Sequence, residues 1–305
     1  MARADHTVES DAAPVPGLSA TRSTIREWLA GVGFALPYLL VAGAFLFGPL
    51  LLGLYMSFYD WNAVFPAQSE FIGLENYRTL INDPRFWNAL FNTVYFVVLT
   101  VPTIVVCSLL LALGVNREVK GRWLLRTIFF SPYVLTVAVI GLLWEDLFNA
   151  NGLIPYHFGT EGWLTSPELA MPAVAIATVW WTLAFNFVIL LAARQNVPDR
   201  LYEAAKLDGA SSWRMMIDVT VPQMKNPLIF VIITTFVGSF QVFGQPFIMT
   251  QGGPSFSTTT VVMYLYNTAF STGDFGYAAA VGYVLFMILI VVSATNFYVL
   301  GGDDS

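Results

Sequence analysis

Charge is scarce in this chain. Only 11% of its 305 residues are Asp, Glu, Lys or Arg, against roughly a quarter in soluble domains. A freely soluble globular reading is therefore excluded, and 56% hydrophobic residues with a mean hydropathy of +0.65 place the chain in a bilayer. Cysteine is nearly absent as well. Cys107 stands alone inside an apolar run, which excludes an internal disulfide and Cys/His metal clusters and leaves a small buried hydrophobe. The two histidines, His6 and His157, fall in a polar tail and a loop with no metal-binding spacing around them. No Gly-rich loop ends in Gly-Lys-Ser/Thr, and no nucleophile elbow is present. Catalytic residues, a bound metal and a cofactor of the chain's own are therefore not expected, nor is a nucleic-acid partner. The formal charge of −6 fits a solvated acidic surface.

Long apolar runs are what the chain has instead. Six are long enough to cross a hydrocarbon core, at about Phe34–Phe58, Leu90–Gly114, Leu124–Leu147, Met171–Ala193, Pro227–Ile248 and Ala278–Leu300. The fold class expected is all-α integral membrane with about six transmembrane helices. Residues 1–30 are polar, with Pro14, Pro16 and Gly17, and read as a disordered tail without a signal peptide. Residues 31–300 form the membrane domain, and 301–305 a short acidic tail. Every Lys and Arg except Arg78 and Arg85 falls in the N-terminal tail, in Val115–Arg126 or in Arg194–Lys225. An even number of spans puts these three segments on one side, and the positive-inside rule makes that side the cytoplasm. Both termini and the 195–226 loop of this multi-pass chain of the cell membrane are then cytoplasmic.

That loop holds the most distinctive stretch, Glu203 to Pro222, too polar for lipid yet helix-forming. Pro198 suits a first helical turn, Gly209 a left-handed cap, Ser211 or Ser212 a second helix start, and Pro222 its end. Two short helices broken at a glycine make a knob shaped for docking. Leu201, Leu207, Trp213, Met215 and Met216 offer it an apolar surface, and Ala204 and Ala205 permit close approach. Glu203 is placed either to pair with a partner's cation or to be offset by Lys206 on its own helix.

The spans on either side of the loop carry a polar stripe. Thr178, Trp181, Thr182 and Phe185 recur at helical spacing, and Thr235 and Ser239, four apart, share a face. Hydroxyls beside aromatic faces suit a sugar, which presents many hydroxyls and apolar C–H patches. The competing reading is that these hydroxyls bond helix backbones or neighbouring helices and that Trp181 packs. Asn186 and Gln241 are weaker candidates, equally suited to joining helices.

Glu203-Ala204-Ala205, three residues, Gly209, nine residues, then Val219, Val221 and Pro222 resembles the cytoplasmic loop of permeases from ATP-binding-cassette importers. Val219 and Val221 stand where Ile and Leu are usual in that family. Phe71-Ile72-Gly73-Leu74-Glu75-Asn76-Tyr77, Asn92-Thr93, Arg126 to Tyr133 and Thr250-Gln251-Gly252-Gly253-Pro254 are similar to the carbohydrate-uptake, MalF/UgpA-like branch. The resemblance implies a type I ABC importer permease architecture. It implies that Glu203, Ala204, Ala205, Gly209 and Pro222 couple to a cytoplasmic ATPase, and that the spans flanking the loop line the substrate path. The partners implied are a second homologous permease, two ATPase subunits and an extracytoplasmic solute-binding protein, with ATP and Mg held by the ATPase. The function expected is passage of a sugar or related polyhydroxy solute. The rival, an ion-gradient-driven secondary transporter, needs ionisable groups at mid-membrane, and none lies well inside an expected span.

Overall fold

A computed structural model of the chain describes residues 19–115, 122–159 and 162–301. Residues 1–18, the 116–121 part of the basic loop and 302–305 of the acidic tail lie outside the described residues. Two units are distinguished, residues 1–55 and 56–305. The first contains helix α1 (Ser19–Ala42), a π turn and most of α2 (Gly48–Met56). Residues 19–30, expected in a disordered tail, are helical, because no Pro or Gly interrupts the chain between Ser19 and Ala30. Residues 30–56 are long and apolar enough to span a bilayer.

The second unit opens on a two-stranded ribbon, β1 (Tyr59–Asp60) antiparallel to β2 (Glu70–Phe71), and helix α3 (Glu75–Ile81). The amide of Asn76 donates to the carbonyls of Ser57 and Tyr59, at 2.9 and 3.0 Å, and the Tyr77 hydroxyl lies 2.7 Å from Ser57 Oγ. These two residues of the Phe71–Tyr77 motif thus fasten α3 to the chain leaving α2. There follow α4 (Pro84–Val115), α5 (Arg122–Phe130), α6 (Val137–Phe148), α7 (Leu153–Phe158) and α8 (Ala170–Gln195). Then come α9 (Asp199–Leu207), α10 (Ser212–Met215), α11 (Val221–Gln223), α12 (Lys225–Phe240), α13 (Gly244–Met249), α14 (Val261–Tyr266) and α15 (Phe275–Gly301). Six candidate spans result among the described residues.

Helix α4 runs through the middle of this unit. Its buried residues join three apolar clusters, with Phe240, Val281 and Leu285 in one, Val174 and Met249 in a second, and Phe187, Leu190 and Val231 in the third. Apolar burial is a weak driver in lipid, so close approach and polar contacts hold membrane helices together. Ala173, Ala177 and Ala184 on α8 and Ala112 on α4 have no exposed surface, and Ser108 of α4 donates to the Leu183 carbonyl of α8 at 3.2 Å.

Two spans differ from expectation. The third, read as Leu124–Leu147, is broken: α5 ends in a 3-10 turn, Ser131–Val134, before α6 begins. Pro132 lacks the N–H that a continuous helix needs, and Thr136 accepts from Val139 N–H to start α6 afresh. The candidate span is consequently Val137–Phe158. The fifth, read as Pro227–Ile248, divides into α12 and α13 around Gln241–Phe243. Gly244 permits this join to sit tight on α6, since a Cβ there would fall 2.7 Å from a Val137 methyl.

Candidate functional site

The break in each of those two spans turns side chains toward one hollow. A cavity of 460 Å³ lies between α8, α12, the Ser131–Val134 turn and the start of α13. All six residues of the expected path line it: Thr178, Trp181, Thr182 and Phe185 from α8, and Thr235 and Ser239 from α12. Asn186 and Gln241 reach it too. Its size falls within the usual range for small-molecule sites, about 300–1,000 Å³.

The competing reading of the hydroxyls is also realised. Thr178 and Thr182 donate to the carbonyls of Val174 and Thr178, four residues back, at 2.9 and 2.7 Å. Asn186 donates to Thr235 Oγ1 at 3.0 Å, joining α8 to α12, and Ser239 Oγ receives the Thr100 hydroxyl at 3.2 Å, joining α12 to α4. These hydroxyls have bonds of their own, and each keeps an oxygen lone pair that can face a guest.

Of the lining residues not singled out from the sequence, two stand out. Tyr133 stacks on Phe185, ring centroids 5.5 Å apart and planes at 20°, and lies 6.2 Å from the Trp181 ring at 29°. Trp181 Nε1–H donates to the Leu135 carbonyl at 3.1 Å. One wall is therefore a three-ring aromatic face pinned to the broken third span. The Pro132 signal was present in Ser131-Pro132-Tyr133, but it had to be read as a break inside a span. The second residue is Gln245, only 5% exposed. Its side chain lines the cavity and makes no hydrogen bond among the described residues. A continuous helix through residue 248 would have placed it with Gly238 and Gln241, off the Thr235 and Ser239 stripe.

The stretch between α8 and α12 folds as the knob its residues indicate. Helix α9 ends in a left-handed Gly209, φ +76°, with Gly209 N–H bonded to the Lys206 carbonyl and Ala210 N–H to the Ala205 carbonyl. This double bond pattern is the Schellman motif. Ser211, of the two candidate serines, caps α10 by accepting from Arg214 N–H. Pro198, expected in the first turn, stands instead at the N-cap position one residue before α9 and makes no side-chain cap bond. Pro222 does not end the helical stretch. A π turn over Met216–Thr220 sends the Val221 N–H back five residues, and Pro222 sits in the first turn of α11, where its missing N–H is not needed. Tyr202 O–H and Thr220 Oγ1 lie 2.9 Å apart and brace α9 to the π turn, while Arg194 lies over the Tyr202 ring at 4.3 Å.

Glu203, Ala204, Gly209 and Pro222 are exposed and Ala205 half-buried. Glu203 forms no ion pair with Lys206 or any other group among the described residues. With Asp199, Lys206, Met215 and Met216 it surrounds a 470 Å³ hollow. Leu207 and Trp213 are exposed by 89% and 67%, as a docking surface requires. Leu201 instead packs on the Phe187 and Met224 cluster.

A bundle of membrane helices around an amphipathic cavity, with a polar two-helix knob between the two helices that line it, defines a solute permease. The chain belongs to the family described as the inner membrane component of binding-protein-dependent transport systems, whose pattern matches residues 79–300. Among curated relatives, the lactose transport system permease protein LacF of Rhizobium radiobacter is 33% identical over 92% of this chain and 97% of its own length. The sn-glycerol-3-phosphate transport system permease protein UgpA of Agrobacterium fabrum is 35% identical over 86% of this chain and 93% of its own. The crystal structure of a bacterial ABC transporter that imports the acidic polysaccharide alginate matches with a TM-score of 0.79 at 21% identity, over 94% of this chain and 99% of that one. The fold is therefore the type I ABC importer permease architecture, and the chain is a multi-pass membrane transport subunit.

Proposed function

We propose that this chain forms half of the path by which a sugar or related polyhydroxy solute crosses the cell membrane, driven by a separate cytoplasmic ATPase docked on the Glu203–Pro222 knob. The observation that carries this reading is the cavity itself. The predicted hydroxyl and aromatic stripe of α8 and α12 lines one cavity, and the knob is the direct connection between those two helices. Movement of the knob would tilt both helices and change which end of the cavity opens. The aromatic wall Tyr133–Trp181–Phe185 suits the C–H faces of a sugar ring, and Gln245 offers an uncommitted amide for its hydroxyls. Names among the relatives, lactose and sn-glycerol-3-phosphate transport, support a polyhydroxy solute. No charged side chain lines the cavity, which favours a neutral one and offers nothing to an ion-gradient mechanism.

The remaining parts follow from this reading. The partners are a second permease that completes the path, two ATPase subunits that hold ATP and Mg, and an extracytoplasmic solute-binding protein. The knob and both termini lie in the cytoplasm, in accord with the distribution of Lys and Arg. Glu203, exposed and without an ion-pair partner among the described residues, meets a cation of the ATPase, with Ala204 and Ala205 allowing close approach and Gly209 and Pro222 setting the knob's shape.

The test is ATP-dependent uptake into vesicles bearing the complex recovered in gentle detergent. Glu203→Lys should leave the permease inserted and folded while lowering uptake at least about tenfold, the loss expected when one side of a desolvated ion pair is reversed. Unchanged uptake would sink the docking role of Glu203. Recovery of the chain without any ATPase would sink the wider proposal.

A further inference from the structure

Beyond the cavity, a run of aromatic rings continues along the chain toward the end of α12 that lies away from the knob. Phe243, which lines the cavity, stacks on Phe247 with centroids 4.9 Å apart, and both rings contact Tyr266, at 5.1 and 5.5 Å. Tyr266 touches Phe270 at 5.1 Å, and Phe270 meets Phe275 at 5.8 Å. Phe275 is the first residue of α15, next to the turn at Thr272–Asp274. The five rings therefore form one connected series from the cavity wall to the surface end of the bundle.

None of the five is buried. Phe247 and Phe270 are exposed and the other three half-buried, with Phe270 open to 66% of its surface. A core cluster would hide such rings, as α4 and α8 hide Phe96 and Phe187 at 0% exposure. The local backbone also turns Phe270 aside. It lies in a π turn, Asn267–Ser271, whose extra residue shifts the side-chain register from that of α14. Asn267 and Ser271 of that turn line a separate 680 Å³ basin with Arg85 and Asn88, and Phe270 is not part of it.

We infer that Phe243, Phe247, Tyr266 and Phe270 form a stacking track that carries sugar rings between the outer surface and the membrane cavity. The inference rests on the carbohydrate reading above and extends it to a second set of contacts. Its occupant is argued from continuity, because Phe243 belongs to both the track and the cavity. It is argued also from chemistry: the C–H face of a pyranose or furanose can lie on any of the rings, so a saccharide can pass from one to the next without a deep well at any step. Hydrogen-bonding groups would hold a sugar in one place, whereas ring faces tolerate sliding. The cavity that Phe243 lines also presents the Tyr133–Trp181–Phe185 wall, so a ring leaving the track meets a second aromatic face.

The experiment uses the whole transport complex in vesicles, with lactose, maltotriose and arabinotriose as probes. Phe270→Leu and Tyr266→Leu keep apolar bulk and remove the ring, and Phe270→Trp restores one. For each probe that the unaltered complex takes up, either Leu variant should lower the initial rate about three- to tenfold, the worth of an aromatic contact. Phe270→Trp should recover most of it, with the partner permease retained equally in all forms. Full uptake in both Leu variants would overturn the track, as a merely lipid-facing surface predicts. Loss of the partner permease from the Leu variants in step with uptake would also overturn it and make these rings a subunit contact. Failure of the unaltered complex to take up any saccharide would instead remove the carbohydrate reading, and the track with it.

Discussion

At one end of α12, Asp199, Glu203 and Lys206 surround an open hollow and form no ion pair among the described residues. At its other end the polar groups are bonded almost throughout. The amide of Asn92 on α4 donates to the carbonyls of Phe256 and Thr259, and Thr93 Oγ1 accepts from Val261 N–H at 3.0 Å. Thr258 donates to the Gly253 carbonyl, Thr259 to that of Gly252 and Thr260 to that of Val242. Asp83 Oδ2 accepts hydrogen bonds from the hydroxyls of both Tyr264 and Tyr277. The contrast separates two tasks. Around the hollow charge is left uncommitted, although Arg214 and Asp218 of the same knob pair at 3.4 Å. The segment that holds helices in register commits most of its donors, Ser257 Oγ being buried without a partner among the described residues. It also gives a physical meaning to two motifs: Asn92-Thr93 is the receptor for the loop that begins at Thr250-Gln251-Gly252-Gly253-Pro254.

If that division is real, substitutions at the bonded end should cost stability, and changes of charge at the knob should cost transport. The largest effect belongs to Asn92→Ala, which strips the Thr259 carbonyl of its side-chain donor and leaves the Phe256 carbonyl only that of Asn88, at a site 6% exposed, and should destabilise the fold by about 2 kcal/mol. Thermal unfolding of the detergent-purified chain reads this directly, and an unshifted midpoint would break the comparison. Gly209→Ala comes next. Forcing a side chain onto φ +76° should cost about 1–2 kcal/mol, seen as faster amide exchange confined to residues 199–223.

Asp83 gives a smaller, pH-dependent effect. Burial raises its carboxyl, but the hydroxyls of Tyr264 and Tyr277 and the N–H groups of Arg85 and Phe86 outweigh it and hold it below the ordinary value of 3.8. A depressed carboxylate contributes stability that is present above its unfolded pKa and lost as pH falls through the folded one. The clamp should therefore be intact at pH 5 and above, and weaken below about pH 4. Asp83→Asn should abolish that acid dependence and lower neutral stability by about 1 kcal/mol, since water screens a half-buried group. Equal acid sensitivity in both forms would show that Asp83 is not the titrating group. The smallest stability effect is expected of Glu203→Gln, within about 0.5 kcal/mol for an exposed residue with no ion-pair partner among the described residues. Its uptake should nevertheless fall, and a large stability loss there would erase the distinction between the two ends.

Much of the candidate site was legible in the residues. The knob could be read because its devices are local: the left-handed Gly209, the Ser211 cap and the short interval between them act within a few residues. The stripe on α8 could be read because an unbroken helix places Thr178, Trp181, Thr182 and Phe185 on one side whatever surrounds it. Legibility ended where a span broke. Tyr133 and Gln245 escaped because each follows an interruption, at Pro132 and at Gln241–Phe243, that resets the helical phase.

The sequence by itself determined that the chain lives in a bilayer, how many times it can cross, and where a polar two-helix knob interrupts it. Those properties follow from composition and from contacts a few residues long, which the solvent and the helix period decide alone. Tertiary structure decided the rest. Asn92 meets Phe256 across 164 positions of sequence, the hydroxyls of α8 and α12 are shared between helix bonds and one cavity, and the rings from Phe243 to Phe275 touch in series. In lipid no apolar driving force selects which helix faces meet. Small residues and buried hydrogen bonds make that selection, and their partners are fixed only once the helices are packed.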